Sequence, residues 1–156
     1  MKRLVVICLM AVVSLTAFAQ NRQGQSSLGF NVGYGFDTEN ATLGVDYRYC
    51  VTDEFRLGPS ITHMVKSNGL KGWMLDMNAH YIVRLSDMFG FYPLGGLSLS
   101  FWDAGKHLDW TRFGANIGLG GEVYATSEIT VGLEVKYNIV KDFDQAMFAV
   151  RVGYCF

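Results

Sequence analysis

Nowhere beyond residue 20 does this sequence hold an uninterrupted apolar run of the about 20 residues that a helix needs to cross a bilayer; a charge or a glycine breaks every such stretch. Proline is nearly absent, with 2 in 156 residues, and cysteine is scarce, with 3, which excludes a disulfide-built scaffold. Positive charge is not in excess either: 13 basic residues face 14 acidic ones, which removes the electrostatic ground for a nucleic-acid partner. The 3 histidines sit on different segments without metal-ligand spacing, so no metal and no cofactor are expected. If such a chain enters a membrane, it does so as strands.

The one sizeable apolar run, Leu4 to Val13, follows Lys2 and Arg3 and precedes Ala17-Phe18-Ala19, the three parts of a secretory signal peptide. Cleavage after Ala19 is expected to leave 137 residues, enough for one domain, with 11 basic against 14 acidic residues once Lys2 and Arg3 are removed. The expected organisation is a signal peptide at 1–19, a polar N-terminal leader at 20–26 and a β-barrel domain at 27–156.

What the chain has in abundance is alternation. In SLGFNVGYGF, Leu28, Phe30, Val32, Tyr34 and Phe36 alternate with Gly29, Asn31, Gly33 and Gly35, the period of two that marks a strand with unlike faces. ATLGVDYRYCV repeats it, and six more segments follow: Phe55 to Val65, Trp73 to Val83, Phe91 to Phe101, Phe113 to Val123, Ile129 to Ile139 and Phe148 to Phe156. Each is close to the about 9–11 residues with which a tilted strand crosses a bilayer, and an even number returns both chain ends to one side. The connections are short and carry charge or turn formers. The expected fold is all-β, an eight-stranded antiparallel up-and-down transmembrane β-barrel.

A soluble barrel would share this alternation, so the two faces decide. The apolar parity of these segments holds no Asp, Glu, Lys or Arg. The opposite parity holds Asp46, Arg48, Arg56, Asp76, Arg84, Arg112, Glu122, Glu134, Lys136 and Arg151, together with most of the strand glycines. Glycine forms strands poorly and persists where space is short, and the interior of an eight-stranded barrel is only just wide enough for side chains. Glycines interspersed with long charged residues therefore belong inside, and the bulky apolar parity faces lipid. Aromatics fall at the strand ends as two girdles, with Tyr49, Phe55, Phe91, Tyr154 and Phe156 at one and Phe36, Trp73, Phe101, Trp110, Phe113 and Tyr137 at the other.

The last segment is more specific. A final Phe156, with Tyr154 two residues before it and apolar residues at every second position back to Phe148, resembles the C-terminal signature of bacterial outer-membrane barrels. Together with the signal peptide and the eight segments, it makes the chain similar to the small porin-family barrels of the outer-membrane protein A and X type. The resemblance implies a monomer in the outer membrane of a Gram-negative bacterium. Its partners would be outer-membrane lipids and the barrel-assembly machinery, which would read Phe148, Tyr154 and Phe156 during insertion. No peptidoglycan-binding domain of the kind some relatives carry is expected. The four loops expected outside the cell, at 37–41, 66–72, 103–111 and 141–146, are short for an adhesive role.

Inside a narrow lumen, charges need partners, because an unpaired buried charge is costly. Asp46, Arg48, Asp76, Glu122, Glu134, Lys136 and Arg151 are expected to form a mutually paired plug, with Arg151 facing Glu134 or Lys136 on the neighbouring strand and Asp46 and Arg48 within reach across the lumen. A narrow ion-conducting porin lined by the same residues is one alternative. A lipid A-modifying enzyme is another, although the deacylase type asks for His and Ser two residues apart, and His63 is followed at that spacing by Val65. A His107, Asp103 and Ser67 set could be assembled near the outer rim, but any loop composition this polar offers one, and no enzyme is expected. His80 is expected as a hydrogen-bonded lumen residue and Cys50 and Cys155 as separate thiols, and Pro59 and Pro93 are candidate bulge sites.

Overall fold

The computed structural model describes residues 23–67, 70–103, 109–141 and 144–156; the expected signal peptide lies outside the described residues. Nine strand segments follow in order: β1 (Ser26–Gly35), β2 (Asn40–Cys50), β3 (Phe55–Ser67), β4 (Leu70–Tyr81), β5 (Val83–Arg84), β6 (Phe89–Asp103), β7 (Asp109–Tyr124), β8 (Ile129–Val140) and β9 (Gln145–Cys155). The two-residue β5 continues β4 past Ile82, so the segments make eight staves. Each stave pairs antiparallel with its sequence neighbour, and β1 pairs with β9, which closes the sheet into a barrel. Closure removes the unpaired edges that an open sheet of this length would expose.

A path along backbone partners leaves β1 at Ser26 and passes Tyr49, Leu57, Ala79, Gly95, Ile117, Tyr137 and Ala146. It returns at Phe36, just past the end of β1 and ten residues (26 to 36) beyond its start. That stagger tilts the strands, and with eight staves it leaves an interior that side chains can fill.

Three turns at the end that holds both strand termini share one construction. In VTDEF the hydroxyl of Thr52 accepts from the backbone N–H groups of Glu54 and Phe55, at 3.3 and 2.9 Å. In ATSEI, Thr126 accepts likewise from Glu128 and Ile129, at 3.2 and 2.9 Å, and in LSDMF Ser86 accepts from Met88 at 3.3 Å. A short hydroxyl side chain at the second position thus satisfies donors that a two-strand reversal would leave open.

At the opposite end the strands run further than the alternation alone suggests. Residues 40–41, 66–67, 70–72, 103, 109–111 and 145–146, expected in loops, are strand, because ladder pairing continues as far as Ser67↔Leu70 and Asp103↔Asp109. Of the expected loop residues, 68–69, 104–108 and 142–143 lie outside the described residues. Neither proline makes a bulge. Pro59 falls opposite Tyr47, where β2–β3 pairing lapses between Asp46↔Ser60 and Tyr49↔Leu57, and Pro93 falls opposite Tyr81 beside the break at Ile82. Register resumes unchanged past both, since a proline deletes a ladder donor without inserting a residue. A register shift does occur between Met64 and Ser67, where β3 meets β4.

The side chains sort by parity as expected. Val45, Leu133 and Val152 are 49%, 54% and 52% exposed on the outer wall, while Arg151 is 2% exposed inside. Phe36, Trp73, Phe101, Phe113 and Tyr137 are exposed at the far end and Tyr49, Phe55, Tyr154 and Phe156 at the terminus end. Tyr81 and Phe89 add to the latter band, whereas Phe91 is half-buried. The inward parity is less uniform than charge and glycine alone: Met64, Met74, Trp102 and Met147 form a buried cluster, and Ile82, Tyr92 and Leu94 form another.

Candidate functional site

The lumen collects charge because β2, β3, β4, β7, β8 and β9 each turn one or two long ionisable side chains inward. Asp46, Arg48, Asp76, Glu122, Glu134, Lys136 and Arg151 all lie there. Around Arg151, the guanidinium donates to Asp46 through Nε at 2.9 Å and Nη2 at 2.7 Å, while Nη1 reaches Thr130 Oγ1 at 3.1 Å and Nη2 reaches Ser27 Oγ at 3.2 Å. Asp46 also accepts from Asn31 at 2.7 Å and meets Arg48 Nε at 3.1 Å. Arg48 then links three carboxylates, with Glu134 at 3.0 Å and Glu122 at 3.8 Å besides Asp46.

The partner of Arg151 differs from the sequence expectation: it is Asp46 on β2, across β1, and not Glu134 or Lys136 on the adjacent β8. The cause is space. Gly29 on β1 and Gly153 on β9 face each other in register, and a Cβ on either would collide with the Arg151 guanidinium. Without those two side chains the arginine lies flat along the wall and spans β1. Gly120 leaves room for the Tyr92 ring in the same way, whereas a Cβ on Gly118 would meet the backbone of Val135 and Lys136 on β8. Part of the glycine on the charged parity thus accommodates a long neighbour, as at Gly29, Gly120 and Gly153, and part lets the backbone of the next strand come close, as at Gly33 and Gly118.

Tyr92 organises the rest of the lower tier. Its hydroxyl donates to Glu134 at 3.0 Å and accepts from Arg48 Nη1 at 3.2 Å, and its ring lies 5.4 Å from the Arg48 and 5.0 Å from the Arg56 guanidinium carbon. Arg56 Nη1 donates to both Glu122 oxygens at 3.0 and 3.1 Å, and Tyr124 donates to Glu122 Oε1 at 3.0 Å. A middle tier holds Lys136, paired with Asp76, and an amide chain in which Asn116 donates to Asp76 and Asn78 and accepts from Asn138. His80 lies inside, edge-on to Tyr92 at 5.1 Å, with its Nδ1 unbonded among the described residues. Between the two tiers lies a cavity of about 40 Å³, bordered by Asp46, Arg48, His80, Glu134 and Lys136.

Arg56, Tyr92, Tyr124, Asn31 and Asn116 belong to the network but were not singled out by sequence reasoning. Parity does place each of them inward. Which of them meet depends on register between strands distant in sequence, and alternation carries no information on register. Cys50 and Cys155 are both buried, and no disulfide joins them. Of the rim set His107, Asp103 and Ser67, His107 lies outside the described residues and Asp103 pairs with Lys71 at 2.9 Å. Among the described residues, no group of three or more His, Cys, Asp or Glu side chains could hold a metal ion.

A closed barrel with an apolar wall and an ion-paired lumen agrees with a family model. Residues 5–156 match the outer membrane protein beta-barrel domain. The chain belongs to that outer-membrane barrel family. Solved structures share the fold of this outer-membrane barrel at low identity. The N-terminal β-barrel domain of Pseudomonas aeruginosa OprF superposes with a TM-score of 0.75 at 18% identity, covering 86% of this chain and 98% of that one. Ail, the attachment invasion locus protein of Yersinia pestis, gives 0.63 at 15% identity over 86% and 99%. The outer membrane enzyme PagL gives 0.50 at 12% identity over 83% and 98%. No curated protein matches the sequence significantly. The matched structures show the fold alone, and since one of them is an enzyme, shape does not choose a function.

Proposed function

We propose that this outer-membrane barrel is a structural component of the envelope whose lumen is closed by its own ion pairs. One observation carries the reading: Arg48, Arg56, Lys136 and Arg151 meet Asp46, Asp76, Glu122 and Glu134, four cations against four anions, each paired with an opposite charge. The residual cavity of about 40 Å³ has room for a few waters and none for a hydrated ion in transit. The short, alike turns at the terminus end support a periplasmic position for that end, with the opposite rim facing outward as the exposed recognition surface.

The expected accessory features fit the same reading. Export would remove residues 1–19, the assembly machinery would read the final strand through Phe148, Tyr154 and Phe156, and the inserted barrel would stand as a monomer among outer-membrane lipids. Tyr154 and Phe156 are 51% and 67% exposed on the outer wall, with ring centroids 6.4 Å apart. An enzymatic role lacks support, since Val65 occupies the position where a deacylase-type serine would follow His63, and the Asp103 side chain is engaged by Lys71.

Single-channel recording of the purified protein in planar bilayers tests the plug. The wild-type protein is expected to show no steady conductance, and Arg151→Ala to introduce channel openings. Steady wild-type conductance that Glu134→Ala alters would replace the plug with a narrow porin. A change in lipid A mass on overexpression would replace it with an enzyme.

A further inference from the structure

The far half of the bore holds a group of side chains that the ion-paired plug does not use. Met64 on β3, Met74 on β4 and Met147 on β9 are buried in one cluster with Trp102 on β6. Register brings them together. Gly72 stands between Met64 and Trp102 in one paired row, and a Cβ there would come 3.2 Å from the indole, so the two large side chains share the space beside the glycine. Met74 is the next inward residue of β4, and Met147 arrives from β9, with β1 and β2 between it and β3. We propose that these three thioethers bind a soft monovalent metal ion, Cu(I), inside the lumen.

Filling the bore asks for apolar bulk alone, whereas these side chains also gather three donors of one chemical kind. Thioether sulfur is neutral and polarisable, which suits Cu(I) and gives little to hard ions that prefer oxygen. Charge points the same way. Asp46, Asp76, Glu122 and Glu134 are each already paired with a cation, so a divalent ion would enter with no lumen carboxylate left to offset it. Arg112, in the same row as Met74 and Ser100, keeps the tolerable charge at the smallest a metal ion carries. Trp102 adds an aromatic ring, which attracts a cation over its face. Gln145 Nε2 donates to Met64 Sδ at 3.9 Å and so restrains that sulfur. Space is present at the same place. The cavity of about 40 Å³ is bordered by Met147 itself, by Thr42, which pairs with Met64, and by Thr62, which pairs with Met74. That volume admits no hydrated ion, but it admits a bare one, and unbranched methionine side chains can turn to close on it.

Anaerobic competition for Cu(I) between the full mature barrel in detergent micelles and the chelator bicinchoninate tests this. Thiols bind Cu(I) as well, so the protein carries Cys50→Ser and Cys155→Ser. One Cu(I) per barrel is expected to be withheld from the chelator. Met64→Leu, Met74→Leu and Met147→Leu keep the apolar bulk, and each should weaken binding at least about tenfold in a barrel of normal heat-dependent gel mobility. Met77→Leu, 51% exposed on the outer wall, should leave it unchanged. A second readout needs no substitution in the cluster: Ag(I), a redox-stable analogue, should shift the isotope-labelled methyl signals of Met64, Met74 and Met147 and leave those of Met77 and Met88 in place. The site is overturned by an absence of uptake, by uptake that survives all three leucine substitutions, by uptake that requires the two thiols, or by shifts confined to Met77 and Met88. Conductance is not among these readouts, so the metal site and the plug stand or fall separately.

Discussion

The two ends of the lumen solve the same packing problem with different chemistry. Toward the terminus end, Asp46, Arg48, Arg56, Glu122, Glu134 and Arg151 interlock through charge-assisted hydrogen bonds organised by Tyr92 and Tyr124. Toward the far end, Met64, Met74, Trp102 and Met147 fill the bore, and Gln145 Nε2 lies 3.9 Å from Met64 Sδ. Both regions are buried, yet they differ in what holds each side chain in place. In the ionic tier the Arg151 guanidinium reaches Asp46, Thr130 and Ser27 in one arrangement, so geometry is imposed by pairing and by the glycines that open the space. In the thioether tier the contacts are nondirectional and methionine adapts to whatever gap the strands leave. The contrast indicates that closure of the lumen is specified at one end and merely filled at the other.

Substitutions in the two tiers can break or sharpen that contrast. The largest effect is expected for Arg151→Ala, which strands Asp46 among fewer partners and removes donors to Thr130 and Ser27. Loss of one member of a buried ion pair typically costs about 3–5 kcal/mol, to be read as a lowered midpoint in denaturant unfolding followed by heat-dependent gel mobility. Gly153→Val comes next. Its side chain would displace the Arg151 guanidinium, and overpacking costs about 1–3 kcal/mol. Combining the two should be less than additive, because the collision with the guanidinium disappears with the arginine and only the contact with Thr130 Oγ1 remains. The smallest effect belongs to the far tier. Met74→Leu conserves volume in an adaptable cluster and should cost less than about 1.5 kcal/mol in the same unfolding measurement. A loss there as large as that of Arg151→Ala would show that the methionine tier is specified as strictly as the ionic one.

Parity was open to reading because a strand has only two faces and lipid tolerates no lysine or arginine at mid-depth. Val45 outside and Arg48 inside follow from that alone. The short reversals were readable too, although the shared hydroxyl of Thr52, Ser86 and Thr126 gained its meaning only from the backbone donors it accepts. The partner of Arg151 was not readable. Asp46 lies 105 positions away in the chain, and the choice between it and the adjacent strand's Glu134 turned on two glycines being opposite one another. The lumen methionines were overlooked because Met64, Met74 and Met147 come from three strands and look unrelated in the sequence.

By itself, then, the order of residues determined the count of staves, their two unlike faces and the medium each face meets, since these depend on local alternation and on transfer from water. Which inward side chains touch was decided only on closure, when register and stagger brought strands distant in sequence around a bore so narrow that Arg151 and Tyr92 fit only beside glycines.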